Sequence, residues 1–170
     1  ANDGAAGAAV LLELARAIDV EAAGKTVCLA FTDGDANVGI PGWTSAAGSV
    51  HLANTLARDV PRCADPEWVI ALGLVGGVDA TFPQEPQSNA ALQESLWTLA
   101  GSLGHGDHFV EGAADSTEPN AFAQAGYPTV IVSDPRYPYA GTLADAADKV
   151  NSESMEAVGR TVEKWIEEGR

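Results

Sequence analysis

The residues 31–39, Phe-Thr-Asp-Gly-Asp-Ala-Asn-Val-Gly, put three oxygen-bearing side chains at alternate positions, Asp33, Asp35 and Asn37, ahead of a glycine. Alternating carboxylate and amide oxygens on a tight loop are what a hard cation requires. A calcium loop of the EF-hand type also needs glycine at its sixth position and a bidentate glutamate at its twelfth. Counted from Asp33 these positions are Val38 and Thr44, so the glycine falls one place late and the closing carboxylate is missing. The segment before the loop is a strand pattern rather than a helix. A dedicated calcium loop is therefore disfavoured, and two readings remain: a transition-metal site, or a strand running into a solvated turn.

The elements that must position this loop alternate along the chain. Residues 5–18 place Val10, Leu11, Leu14 and Ile18 at helical spacing, with Asn2 or Asp3 available as a cap. Residues 25–31 form a continuous apolar run expected to be a buried parallel strand. Residues 43–58 read as a helix, 67–76 as a second buried strand, 89–103 as a helix and 119–126 as a short helix with Pro119 in its first turn and Gly126 at its end. Residues 128–133 give a third buried strand. Residues 151–169 give a closing amphipathic helix, capped by Asn151 or Ser152, with Met155, Val158, Val162 and Trp165 on one face. The Pro-rich segments 82–87 and 133–142 read as surface loops. This alternation predicts an α/β fold, a three-layer α/β/α sandwich with a mainly parallel sheet. Right-handed crossovers then bring the loops that follow the strands to one sheet edge, where sites are built.

Four separated segments, in order, resemble one family. Residues 1–18, beginning Ala-Asn-Asp-Gly-Ala-Ala-Gly, are similar to the "NDGxSG" helix start of the di-zinc aminopeptidases. Residues 27–43 are similar to that family's "FDGEExGL" strand and loop, residues 117–132 to "SDHxPFxxxGIP", and residues 137–159 to "YPYYHTxxDTxDKVD". The family includes glutaminyl cyclases and non-catalytic ectodomains of the nicastrin type. The resemblance covers nearly the whole chain and implies a single zinc-exopeptidase-like domain (phosphorylase/hydrolase-like) over residues 1–170. Further strands of the same sheet, and an "HxD" segment, would precede Ala1 in such a fold.

The family's chemistry uses two zinc ions, a bridging carboxylate and a glutamate base. Asp3 matches the bridging ligand. The base and a neighbouring ligand align with Asp35 and Ala36, a further aspartate ligand with Gly73, and a histidine ligand with Gly141. Alanine and glycine offer no donor, and aspartate is one methylene short as a base. The "SDH" triplet has become Thr117-Glu118-Pro119. The resemblance therefore implies a degenerate, non-catalytic relative whose positions Asp35, Ala36, Gly73 and Gly141 are vestigial, with no cofactor expected. The alternative is a zinc aminopeptidase or related hydrolase with a rearranged or partner-completed site, recruiting His105, Asp107, His108, Glu118 and Asp145.

Other readings bear on the same residues. Asp3, Asp33 and Asp35 could form a weak cation cluster; otherwise Asp3 caps the first helix and the loop aspartates are solvated. His105, Asp107 and His108 follow a helix in a glycine-rich loop and read as solvated, while His51 reads as a surface residue. No nucleophile elbow or phosphate-binding glycine loop is present. The four tryptophans are core candidates, except that Trp43 is expected to plug the emptied pocket. Cys28 reads as a small core residue and Cys63 as a loop residue; a disulfide between them is open to the sequence but not required by it.

Composition narrows the partners. The chain of 170 residues carries a net charge of −15, with 46% apolar residues and three lysines among nine cationic residues. Such a field repels nucleic acid and anionic membrane surfaces, so neither is an expected partner. No apolar stretch is long enough for a membrane span. An acidic, lysine-poor, alanine-rich surface suits a salt-rich environment. The expected role is binding or structural, in an extracellular or surface assembly, with a protein partner or self-association at an exposed sheet edge. A subunit of a surface polymer is a further alternative.

Overall fold

The computed structural model describes residues 1–35, 40–43, 45–114 and 119–169. The chain opens with a tight turn over Asn2–Ala6 that kinks at Asp3 and Gly4, then enters α1 (Gly7–Ala17). Gly4 sits at φ +83°, a region open to glycine and costly for other residues. Neither Asn2 nor Asp3 caps α1 through its side chain. Asn2 is instead fully buried, and its Oδ1 accepts the Gly76 amide at 2.7 Å. A short helix α2 (Val20–Ala23), not foreseen from the sequence, is capped by Asp19, which accepts from the Glu21 and Ala22 amides.

α3 (Ala47–Asp59) begins four residues later than its apolar pattern suggests, because Ala46 adopts a left-handed φ of 57°. Two parallel pairs follow. β1 (Val69–Leu72) pairs in register with β4 (Thr129–Val132), and β2 (Phe82–Gln84) pairs with β3 (Phe109–Ala113) through an irregular step. The remaining helices are α4 (Ala90–Ser102), α5 (Ala121–Gln124) and α6 (Ser152–Glu167). Asn89, Asn120 and Asn151 cap these three, each through its side-chain oxygen.

The core lies between α1, α4, α6 and the strands. Trp165, Phe82, Leu96, Val130, Val132 and Val158 are fully buried. Trp165 meets Trp68 edge-on at 4.6 Å between ring centroids, and Phe109 joins Phe82 to Trp97 through two T-shaped contacts. Truncating a buried tryptophan such as Trp165 to alanine costs about 3–5 kcal/mol. The expected α/β architecture with parallel strands is present, with three differences of detail.

Residues 82–87 are not a surface loop. Phe82 and Glu85 are buried, and β2 tolerates Pro83 because its pairing with β3 is short and irregular. β1 is half-exposed along its length rather than buried. Residues 25–31, expected as a buried strand, pair with no strand. Their exposure alternates residue by residue, with Val27 and Leu29 half-buried and Thr26, Cys28 and Ala30 exposed. A gap of about 920 Å³ lies between this segment and β1.

Cys28, exposed rather than a core residue, is disulfide-bonded to Cys63, just after α3, with Cα atoms 6.4 Å apart. The bridge ties the unpaired segment to the end of that helix. Among the described residues, no helix is long and apolar enough to cross a membrane.

Candidate functional site

The loop that follows residues 25–31 reaches Asp35 at one end of the cleft. Its carboxylate is fully engaged. Oδ1 accepts the Ser49 amide at 2.9 Å, and Oδ2 accepts the Ser49 hydroxyl at 2.5 Å and the Thr32 hydroxyl at 2.6 Å. The Gly48 amide also points to it. Ser49 and Gly48 belong to the first turn of α3, whose own preceding residue, Ala46, has no capping side chain. Asp35 is therefore the N-terminal cap of α3, supplied from upstream in the chain, and the first-turn amides gain a negative partner where the helix dipole favours one. Burial alone would raise this carboxyl. The bonds from Ser49, Thr32 and the Gly48 and Ser49 amides outweigh burial and hold it below the usual carboxylate range.

Asp33 behaves differently. It is exposed, and its Oδ1 accepts the Gly34 amide at 2.7 Å. Its backbone oxygen lies against Gly48, leaving no room there for a side chain. Trp43 does not plug a pocket: it is 55% exposed, and its ring lies over Gly34. Only a residue without Cβ accommodates that ring.

Asp3 faces Gly141. Its Oδ2 accepts the Gly141 amide at 3.2 Å. Asp145 fixes this turn: its carboxylate accepts the Asn2 amide at 2.8 Å, the Asp3 amide at 2.9 Å and the Tyr137 hydroxyl at 2.6 Å. Burial and the bond to Asp145 push Tyr137 up to about 12.

Gly73, at the end of β1, lines the cleft with Asp35 and Ala140. A Cβ at Gly73 would meet the Ser133 Oγ at 2.7 Å, so Ser133 occupies the space a side chain would enter. That hydroxyl also accepts the Leu74 amide at 3.2 Å. Gly141 has φ +67°, a conformation costly for histidine. The structure thus brings Asp3 to Gly141, and Asp35, Gly73 and Ala140 to one cleft. Ala36, Thr117 and Glu118 lie outside the described residues.

These residues do not fit a two-zinc centre. Asp35 has its oxygens committed to four donors, Asp3 accepts from Gly141, and Ala36, Gly73 and Gly141 have no donor atom. Among the described residues, no three histidine, cysteine or acidic side chains are close enough to hold a metal ion. His108 turns inward, with Nδ1 2.8 Å from the Ala80 carbonyl and its ring stacked on Phe82, while Asp107 is exposed and His105 is half-buried.

One residue at the cleft was not signalled by the sequence pattern. Glu85 is 3% exposed and lines the cleft, and its Oε2 has no hydrogen-bond partner. Burial pushes its carboxyl up. The flanking prolines made its segment resemble a surface loop, which hid it.

A family model described as Peptidase family M28 matches residues 1–166. Among solved structures, a Zn-dependent exopeptidase from Parabacteroides distasonis is 27% identical, with a TM-score of 0.83 over 97% of this chain and 62% of its own. A glutaminyl cyclase from Tannerella forsythia is 26% identical, with a TM-score of 0.80 over 99% of this chain and 63% of its own. A leucine aminopeptidase precursor from Bacteroides thetaiotaomicron, at 22% identity and a TM-score of 0.79, shares the fold. The chain spans somewhat less than two thirds of the length of each. No curated protein shows significant similarity to it.

Proposed function

From the premise that the chain belongs to peptidase family M28, we propose that it is a non-catalytic member whose role is binding or structural. The observation that carries this reading is Asp35. At the position aligned with the family's base, the carboxylate is spent on capping α3 and is held ionised by Ser49 and Thr32 rather than directed at a substrate. A general base must be within hydrogen-bond reach of the proton it takes and free to accept it. The space refilled by Ser133 at Gly73 supports the same conclusion. The Cys28–Cys63 disulfide supports an oxidising, extracellular or surface location. The charge of −15 supports a salt-rich setting and a partner that is neither nucleic acid nor membrane.

A second reading is favoured by the family match and by the open cleft beside Asp35 and Gly73: a zinc aminopeptidase or glutamine-cyclising enzyme whose ligands come from outside these residues. One experiment separates the two. Protein dialysed against zinc is assayed for bound metal, for hydrolysis of aminoacyl-nitroanilides and for cyclisation of N-terminal glutamine peptides. Substoichiometric zinc and no turnover are expected. Two tightly held equivalents with turnover would establish the enzyme instead.

A further inference from the structure

The chain holds two Asp-Gly links, Asp3–Gly4 and Asp33–Gly34. The fold arranges them differently. The Asp3 carboxylate is turned away from its own glycine, and its Oδ2 accepts the Gly141 amide at 3.2 Å. The Asp33 carboxylate is turned onto its own glycine, and its Oδ1 accepts the Gly34 amide at 2.7 Å. Oδ1 is bonded to Cγ, so the Gly34 nitrogen and the Asp33 carboxyl carbon face each other across a ring that lacks a single bond. Loss of the amide proton leaves a nitrogen lone pair along the former N–H direction, toward that carboxyl.

Two contacts hold the link in this form. The Trp43 ring lies over Gly34, where any Cβ would come within 2.6 Å of Cζ3. The Asp33 carbonyl oxygen lies against α3, where a Cβ on Gly48 would be 1.9 Å from it. Gly34 has φ +73°, which glycine adopts without steric cost, and it carries no side chain to block approach to its nitrogen. Holding two reacting groups close and in one orientation replaces a random search, and the gain is largest when the atoms are about 3–3.5 Å apart.

The same short stretch carries the α3 cap. The Asp35 carboxylate accepts the Ser49 amide and hydroxyl, and the Asp35 carbonyl accepts the Ala46 amide at 3.1 Å. A longer backbone between Asp33 and Asp35 is therefore felt at the first turn of α3.

From this geometry we infer that Asp33–Gly34 is a site of spontaneous backbone isomerisation that uncaps α3. The Gly34 nitrogen bonds to Asp33 Cγ, the Cγ–OH bond breaks, and the hydroxyl leaves with the amide proton as water. The cyclic imide then takes up one water. Opening at Cγ restores aspartate. Opening at the former main-chain carbonyl carbon gives isoaspartate. The backbone now runs through the side chain, one carbon longer, and a carboxylate replaces the carbonyl that lay against Gly48. Water is the only other reactant and no electrons are exchanged. The link is thus a slow timer built into the loop, separate from the binding role proposed above and independent of it.

The test incubates the 170-residue chain at neutral pH in oxygen-18 water. Samples are digested and mapped by mass spectrometry with electron-transfer fragmentation, which distinguishes isoaspartate from aspartate. A capped synthetic peptide of residues 29–39 is treated alike. Label and isoaspartate should gather at Asp33 rather than Asp3, and about ten-fold faster in the folded chain than in the peptide. Asp33→Glu should remove the signal at this position, because ring closure would need a sixth member. The aged chain should exchange the Gly48 and Ser49 amides faster than a fresh sample and should lose as much Tm as Asp35→Ala. Equal accumulation at Asp3 and Asp33 would overturn the inference, and so would a peptide that isomerises as fast as the folded chain. Isoaspartate at Asp33 with the Gly48 and Ser49 amides still protected would overturn the uncapping. The comparison of Asp3, Asp33 and the peptide uses no variant, so it decides the matter even where Asp33→Glu fails to fold.

Discussion

Asp35 and Ser49 are joined twice, the serine amide to one carboxylate oxygen at 2.9 Å and the serine hydroxyl to the other at 2.5 Å. The contact spans fourteen residues of sequence. It fixes the loop after residues 25–31 to the first turn of α3, where the Asp35 carboxylate serves as that helix's cap.

Removing this cap should loosen α3. Asp35→Ala is expected to cost about 1 kcal/mol, the usual worth of an N-terminal cap. That corresponds to a drop in Tm of about 2–4 °C for a chain of this size. Asp35→Asn should retain most of the stability, because an amide oxygen still accepts from the helix. Thermal unfolding of the three proteins decides it; an unchanged Tm in the alanine variant would mean the bonds contribute nothing net.

The same bonds set a pH dependence. Asp35 is lowered in the folded chain, so its contribution is present above the unfolded carboxylate value of about 4 and is lost as pH falls through the lower folded value. Acid unfolding of Asp35→Asn should therefore be flatter than that of the parent below pH ~4. Parallel acid limbs for the two proteins would contradict this assignment.

Tyr137 should titrate late. Raised to about 12, it favours the neutral phenol in the fold, so its contribution is intact below about pH 10 and declines as pH rises toward 12. An absorbance titration of phenolate should show a late step, near pH 12, from Tyr137. Tyr137→Phe should abolish that late step and speed exchange of the Asn2 and Asp3 amides, since Asp145 then loses the partner that orients it.

A carboxylate placed at Gly73 should strain the strand ends. Gly73→Asp places its Cβ 2.7 Å from the Ser133 Oγ, and such overpacking costs about 1–3 kcal/mol. The double variant Gly73→Asp with Ser133→Gly should recover much of that loss in urea unfolding. A single variant as stable as the parent would show that the strand ends shift freely.

Opening the Cys28–Cys63 bridge should matter more than any of these. Its sequence separation of 35 corresponds to about 4 kcal/mol of chain-entropy stabilisation. Urea midpoints with and without reductant measure it, and the Cys28→Ser, Cys63→Ser double variant should match the reduced protein. Coincident oxidised and reduced curves would mean that residues 25–31 are held in place without the bridge.

Much of this chain was readable from its residues. The apolar periodicity of α1, α4 and α6 survives because each lays a continuous stripe on one core, and Asn151 caps α6 as its sequence suggested. The order of segments pointed to the family whose model matches residues 1–166. β2 and β3 escaped because three residues around a proline, and five ending Glu-Gly-Ala, hold no period long enough to read.

What the sequence determined by itself is local: which segments want to be helix or strand, and which side chains carry donors at all. Only the tertiary structure decided which groups meet. Residues 25–31 have the composition of a buried strand, but pairing requires a neighbour's backbone within hydrogen-bond reach, and among the described residues none lies there. Asp35 has the chemistry of a base or a ligand, and it serves as a cap because the fold places the first turn of α3 within hydrogen-bond reach of it. Hydrogen bonds act over about 3 Å, and no spacing along the chain fixes distances of that size between segments far apart in sequence.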